Sequence, residues 1–285
     1  MDLTLRPAAP QDAEICGKIC YEAFAAIATR HNFPPDFPSP EIAASLLSGL
    51  IAHPGFYGAV AERDGRVLGS NFIDERSPIA GIGPITVDPA TQDNRVGRRL
   101  MEHMLERVVP PRFLGVRLVQ AAYHNRSLCL YSKLGFEARE LLSTMQGPPI
   151  STEIAGYRVR TATEDDLITC NRLCHRIHGH ERGGELLDAI KQGTARLVEH
   201  AGRVTGYATS IAFFGHAVGE SNEELKALIG AADAYPGPGF LLPSRNGELL
   251  RWCLGHGLRV VQPMTLMSMG LYNEPAGAFL PSILL

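Results

Sequence analysis

The sequence lacks an excess of basic residues: 27 Lys and Arg against 30 Asp and Glu leave a formal net charge of -3. A nucleic-acid-binding chain would normally carry a basic face, so nucleic acid is not an expected partner. No apolar run approaches the ~18 residues that a membrane-spanning helix needs. The first residues, Met1-Asp2-Leu3-Thr4-Leu5-Arg6, carry no signal-peptide core, and a membrane is not an expected partner either. Cysteine is scarce, and the six present sit in apolar helical patterns rather than in turn-rich spacing. That usage points to reduced thiols and a cytoplasmic location, not to a disulfide framework. The 29 Gly and 20 Pro are scattered, so they mark turns and form no low-complexity tract. What remains is an ordinary globular composition, 45% hydrophobic and 20% charged over 285 residues, long enough for two domains.

The chain resembles itself. Arg6 to Cys16 aligns with Arg160 to Cys170, with Asp12 matching Asp166 and Cys20 matching Cys174. Each copy reads as a short strand, an Asp near a helix start, and apolar residues at helical spacing. A second match follows in the same order, Ala61 to Gly69 against Val198 to Gly206. Asp64-Gly65 is a strong hairpin signal between two strands, and Ala201-Gly202 takes the same place. Two matches in one order predict a duplicated domain. Gln146-Gly147-Pro148-Pro149 ends regular structure. The expected division is residues 1–146, a linker at 147–154, and a second domain at 155–285.

The segment from Gly81 to Phe136 holds the chemistry. A strand is predicted over Gly83 to Val87, then a turn from Gln92 to Arg98, an amphipathic helix from about Arg99 to Val108, a strand over Val116 to Ala122, and a helix ending at Leu134-Gly135-Phe136. A helix N-terminus leaves free N–H groups and a partial positive charge, Gly97 permits close approach, and Arg95, Arg98 and Arg99 add donors. Such a turn suits a pyrophosphate. Taken alone, it is more simply a strand-to-helix turn with a solvated basic face.

This segment resembles the GNAT acetyltransferase superfamily. Gln92 and Gly97 match the outer positions of its acyl-CoA signature, while Arg95 stands where the family has its first Gly. Ser127, Leu130, Tyr131, Gly135 and Phe136 match the following helix, with His124 in place of the family's Asn and Asn125 one residue late. The resemblance implies an α/β (α+β) fold of two tandem GNAT-like domains, each a mixed, mostly antiparallel sheet flanked by helices. It implies that Tyr131 is the general acid for the CoA thiolate. It also implies that Ile85, Thr86, Val87, Gln92, Asn94, Arg95, Val96, Gly97, Arg98, Asn125, Ser127 and Tyr131 bind acetyl-CoA. The implied activity is transfer of an acetyl group to a primary amine by direct attack. A non-catalytic acyl-CoA or small-ligand module, or transfer of a longer acyl group, stays open as the alternative.

No residue announces itself as the base. Asp74 and Glu75 at a strand end and His124 near the splayed strands are the candidates, and a water chain would serve instead. The loop Phe33 to Pro40 is expected over the acceptor. In the second half Ser244 reads as an N-cap where the cofactor turn should be, and no Tyr helix follows. That half reads as degenerate, binding no CoA and presenting residues such as Phe214, His216 or Tyr235 to the acceptor side. Cys174, His175, His178, His180 and Glu181 lack a second cluster to close a four-ligand shell, so no metal is expected. A homodimer is compatible with everything above.

Overall fold

The computed structural model describes residues 3–91 and 95–284. The first half runs β1 (Thr4–Pro7), α1 (Ala13–Arg30), α2 (Pro40–Ala52), β2 (Phe56–Arg63), β3 (Arg66–Asp74), β4 (Ile79–Ile82), β5 (Thr86–Val87), α3 (Val96–Leu105), β6 (Gly115–Ala121), α4 (Asn125–Lys133) and β7 (Glu137–Gln146). The second runs β8 (Tyr157–Thr161), α5 (Leu167–His178), α6 (Gly183–Lys191), β9 (Arg196–His200), β10 (Arg203–Ala208), β11 (Ala217–Gly219), α7 (Asn222–Gly230), β12 (Phe240–Pro243), α8 (Gly247–Gly255), β13 (Arg259–Gly270) and β14 (Ala278–Leu280). Among the described residues no helix is long and apolar enough to cross a membrane.

The internal repeat has a physical counterpart. Arg6 donates to both Asp12 oxygens at 2.7 and 2.8 Å and to Glu62 at 2.9 Å. Arg160 donates to both Asp166 oxygens at 2.8 Å and to Glu199 at 2.8 Å. Each set ties the first strand of a half to its first helix and its second strand. The helices then bury the same stripe: Cys16, Ile19, Cys20 and Ala23 in α1, Cys170, Leu173, Cys174 and Ile177 in α5. Asp64 and Gly65 have φ of 54° and 73°, Ala201 and Gly202 of 49° and 76°. Two successive left-handed residues are what a tight hairpin matching strand twist requires.

The Arg160 guanidinium holds the Asp166 carboxyl down to about 2, with the Thr163 backbone helping. A carboxyl lowered by folding stabilises the native state above its ordinary value near 4, and that contribution is lost as pH falls from there toward 2. Solvent screening at this partly exposed site limits it to on the order of 1 kcal/mol. Asp166→Asn should therefore cost stability at pH 6 and much less near pH 2. Urea midpoints at the two pH values check this; an equal loss at both would reject it.

The two sheets are not divided as the linear sequence suggests. The larger has the order β1-β2-β3-β4-β6-β13-β7-β12, with β5 added on β3. The smaller has the order β14-β11-β10-β9-β8. Strand β13 lies between β6 and β7, antiparallel to both, with Met264 opposite Ala121 and Leu142. A strand from the second half thus completes the first sheet. The segment 147–154 carries no helix or strand, but the expected cut there separates the helices of the halves and not their sheets. Met267 of β13 packs with Leu118, Tyr131 and Phe136, and Met264 and Leu266 pack with Leu142 and Phe213.

Candidate active site

Strands β4 and β6 run parallel for three pairs, Ile79 to Gly115, Ala80 to Val116 and Gly81 to Arg117. Beyond them β3 takes β5 as its partner, at Gly69 to Val87 and Ser70 to Thr86. The predicted continuous strand at 83–87 is therefore broken, with regular pairing only at Thr86 and Val87. The edges of β5 and β6 diverge, and a cavity of about 710 Å³ opens between them.

Helix α3 starts at this opening. Its first turn begins at Val96, three residues before the expected Arg99, and Arg95 precedes it in the left-handed region at φ 60°. The Arg95 side chain does not cap this start and no acid lies in its first turn, so among the described residues its N–H groups face no competing side chain and suit an anion. A Cβ at Gly97 would meet only Val87 at 3.6 Å and Leu130 at 3.9 Å, ordinary contacts. The fold itself does not require glycine there, and the missing side chain leaves space in the cavity wall. Gln92 and Asn94, expected at this turn, lie outside the described residues.

Helix α4 brings the next group. Its end is fixed by two bonds, Phe136 N–H to the Tyr131 carbonyl at 3.0 Å and Gly135 N–H to Ser132 at 3.1 Å. Gly135 at φ 99° supplies the left-handed residue that this termination needs. Tyr131 is buried, its ring edge-on to Phe136 at 6.2 Å. Burial pushes its phenol well above the usual tyrosine range, and the Ser127 hydroxyl bonded to it offsets this in part. Ser127 also bonds Nδ1 of His124. Burial, with Arg126, His31 and Arg30, drives the His124 imidazole down to about 4. His124 is therefore neutral at pH 7, able to pass a hydrogen bond but weak as a base.

Of the residues expected at the site, Ile85, Thr86, Val87, Arg95, Val96, Gly97, Arg98, His124, Asn125, Ser127 and Tyr131 all line this one cavity. Glu75 does not, which is a correction. Arg107 and Arg112 hold its carboxylate at 2.7 and 2.6 Å, contacts invisible in the local sequence. Asp74 is likewise taken by the Arg76 guanidinium, 2.9 Å from Nε. His216 and Tyr235 are not exposed either. His216 is buried between Tyr207 at 2.9 Å and Glu185 at 3.1 Å, and the Tyr235 hydroxyl donates to the Ile229 carbonyl at 3.0 Å. Phe214 does line the cavity, as do Phe213, Pro238, Met264, Ile283 and Leu284 from the second half.

Three lining residues escaped the sequence reading. They share the cavity with Thr86, which was expected at the site and whose hydroxyl is buried without a partner among the described residues. Both amide atoms of Gln120 are also buried without partners. Asp36, from the expected Phe33 to Pro40 loop, presents a carboxylate, and Tyr123 a phenol. A Gln near the end of a mostly apolar strand was the one readable signal among these.

At α8, the matching place in the second half, the arrangement differs. Asn246, not Ser244, is the N-cap and accepts from the Leu249 N–H at 3.3 Å, and Glu248 occupies the first turn. A capped and acidic helix start disfavours an anion.

Residues 54–138 match the acetyltransferase (GNAT) domain family. The match runs from just before β2 to the start of β7, and the likeness to the family is shown for that segment. Solved structures extend the likeness over both halves. A Pyrococcus horikoshii protein described as an acetyltransferase is 18% identical, with a TM-score of 0.74 over 97% of this chain and 94% of that one. A GCN5-related N-acetyltransferase from Sphaerobacter thermophilus is 14% identical, with a TM-score of 0.60 over 95% and 96%. A tandem GNAT protein from the clavulanic acid biosynthesis pathway is 14% identical, with a TM-score of 0.57 over 94% and 98%. At these identities the likeness is one of fold, two tandem GNAT-like units. No curated protein matches the chain. The family match and the GNAT fold together support an acyltransferase.

Proposed function

We propose that this protein moves an acetyl group from acetyl-CoA to a primary amine of a small molecule or peptide, by direct attack with both substrates bound. The observation that carries the reading is one continuous cavity that joins the start of α3, the open edges of β5 and β6, and Tyr131. The α3 N–H groups with Arg95, Arg98 and Lys133 would meet the pyrophosphate. The backbone at Ile85 and Val87 and the partnerless Thr86 and Gln120 groups would take the amides of the arm. Tyr131, kept neutral by burial, would protonate the leaving sulfur. The catalytic unit is residues 1–146 completed by Arg259–Gly270, and the rest of the second half binds no CoA. Calorimetric titration with acetyl-CoA should give one site per chain, and a panel of amines should release free thiol in its presence. Two sites, or no binding, would end this reading.

Gly97 offers a separate check. Gly97→Val should leave the melting temperature close to that of the parent, because a Cβ there makes only ordinary contacts and the position borders the cavity. It should weaken acetyl-CoA binding about tenfold or more, roughly 1.4 kcal/mol. A folded variant with parental affinity would separate the turn from the cofactor.

A further inference from the structure

The charge of the cavity is divided. Arg95, Arg98, Arg126 and Lys133 line it, whereas Asp36 is the sole carboxylate among the described lining residues. Asp36 sits on the α1–α2 loop and accepts from the Gln262 amide at 3.1 Å. Gln262 belongs to β13 and in turn accepts from the Tyr123 hydroxyl at 3.2 Å. Tyr123 is itself held by Phe33, stacked on it at 4.2 Å and 9°. The cavity that Asp36 lines has apolar walls: its neighbour in sequence Phe37, 6.0 Å from Phe24, with Phe213, Phe214 and Met264 from the second half.

An anionic donor would be drawn to the basic residues, so the lone carboxylate is left for the other substrate. A carboxylate among aromatic side chains fits a cation on an apolar body; a polyol or a polyamine would leave polar groups without partners. We propose that this pocket takes a primary amine with an apolar body of aromatic size, its ammonium set against Asp36, and that Asp36 is the base. This rests on the acyl-transfer reading above for the reaction, but not for the binding.

The proton count closes. The ammonium gives one proton to Asp36, and the freed nitrogen pair attacks the thioester carbonyl carbon. The C–S bond breaks with its electron pair on sulfur, which takes the Tyr131 proton. The second nitrogen proton leaves as the amide forms and restores the phenol, and Asp36 returns its own proton to solvent. Burial raises the Asp36 carboxyl above its usual range, with the Gln262 bond offsetting part of this, which makes it a better proton acceptor than an exposed Asp.

The test is calorimetry with 2-phenylethylamine, 2-phenylethanol and ethanolamine, with and without saturating CoA. The amine with the apolar body should bind about tenfold or more tightly than either partial mimic. Asp36→Asn should remove that preference while CoA affinity stays within about twofold, which also reports that the variant is folded. Equal binding of 2-phenylethanol, tighter binding of ethanolamine, or an unchanged amine affinity in Asp36→Asn would overturn the proposal. If CoA fails to bind while the amine still binds through Asp36, the acyl-transfer reading fails and the pocket assignment stands. If CoA binds and only hydrophilic amines are acetylated, the reverse holds.

Discussion

Replacing Tyr131 with Phe should lower kcat by roughly 10- to 1,000-fold while the KM for acetyl-CoA changes little. The phenol is buried in the first-half core and bounded by Phe136, so Phe keeps the packing and removes one oxygen. Ser127 loses a partner but keeps His124, so the stability cost should be near the ~1 kcal/mol of one hydrogen bond. The chemical cost is larger because the sulfur must then leave without the Tyr131 proton. A loss of 1,000-fold is about 4 kcal/mol, far above the packing effect, so the two are separable. Burial keeps the phenol protonated across the neutral range, and no loss of rate from its ionisation is expected below about pH 9. Steady-state release of thiol together with thermal melts makes the comparison. Parental turnover in a folded Phe variant would remove Tyr131 from the reaction and leave the fold untouched.

How much of this was legible depended on the range of the interaction. The hairpins at Asp64 and Ala201 and the helix end at Gly135 are local events, and the residues there name their own conformation. The Arg6 and Arg160 sets were legible as a repeat, because duplication prints the same letters twice. The site residues on the α3 turn and α4 were legible because one short motif holds them together. Glu75 was misjudged because what neutralises it, Arg107 and Arg112, comes from after α3. His216 and Tyr235 were misjudged because an amphipathic side chain gives no hint of which end is covered. Asp36 gained its surroundings from Gln262, 226 residues away. The place of strand β13 between β6 and β7 was not legible, since apolar strand sequences fix burial more than partner.

That misplaced partner leads to the largest expected effect: a chain ending at residue 154 should not fold. In the larger sheet β6 and β7 are separated by β13, so removing it leaves two unpaired edges inside the sheet. It also removes the buried Met264, Leu266 and Met267, each contributing about 2 kcal/mol, from a total stability that is typically only about 5–15. Losing β12 exposes the far edge of β7 as well. The truncated chain should lack a cooperative melt and should not bind acetyl-CoA. The register suggests a repair. Arg259 lies directly opposite Gln146, so residues 147–258 occupy the loop of what is otherwise a β7–β13 hairpin with two irregularities in its register. A chain of residues 1–146 joined through a short Gly-containing turn to residues 259–272 restores both ladders and the Gln262 contact to Asp36. It should melt cooperatively and bind acetyl-CoA, yet bind 2-phenylethylamine more weakly, because Phe213 and Phe214 are gone from the wall. A cooperative melt with parental CoA affinity in the chain ending at 154 would show that β13 is dispensable. Failure of both chains would instead mean that the first sheet depends on the packed body of the second half and not only on its strand.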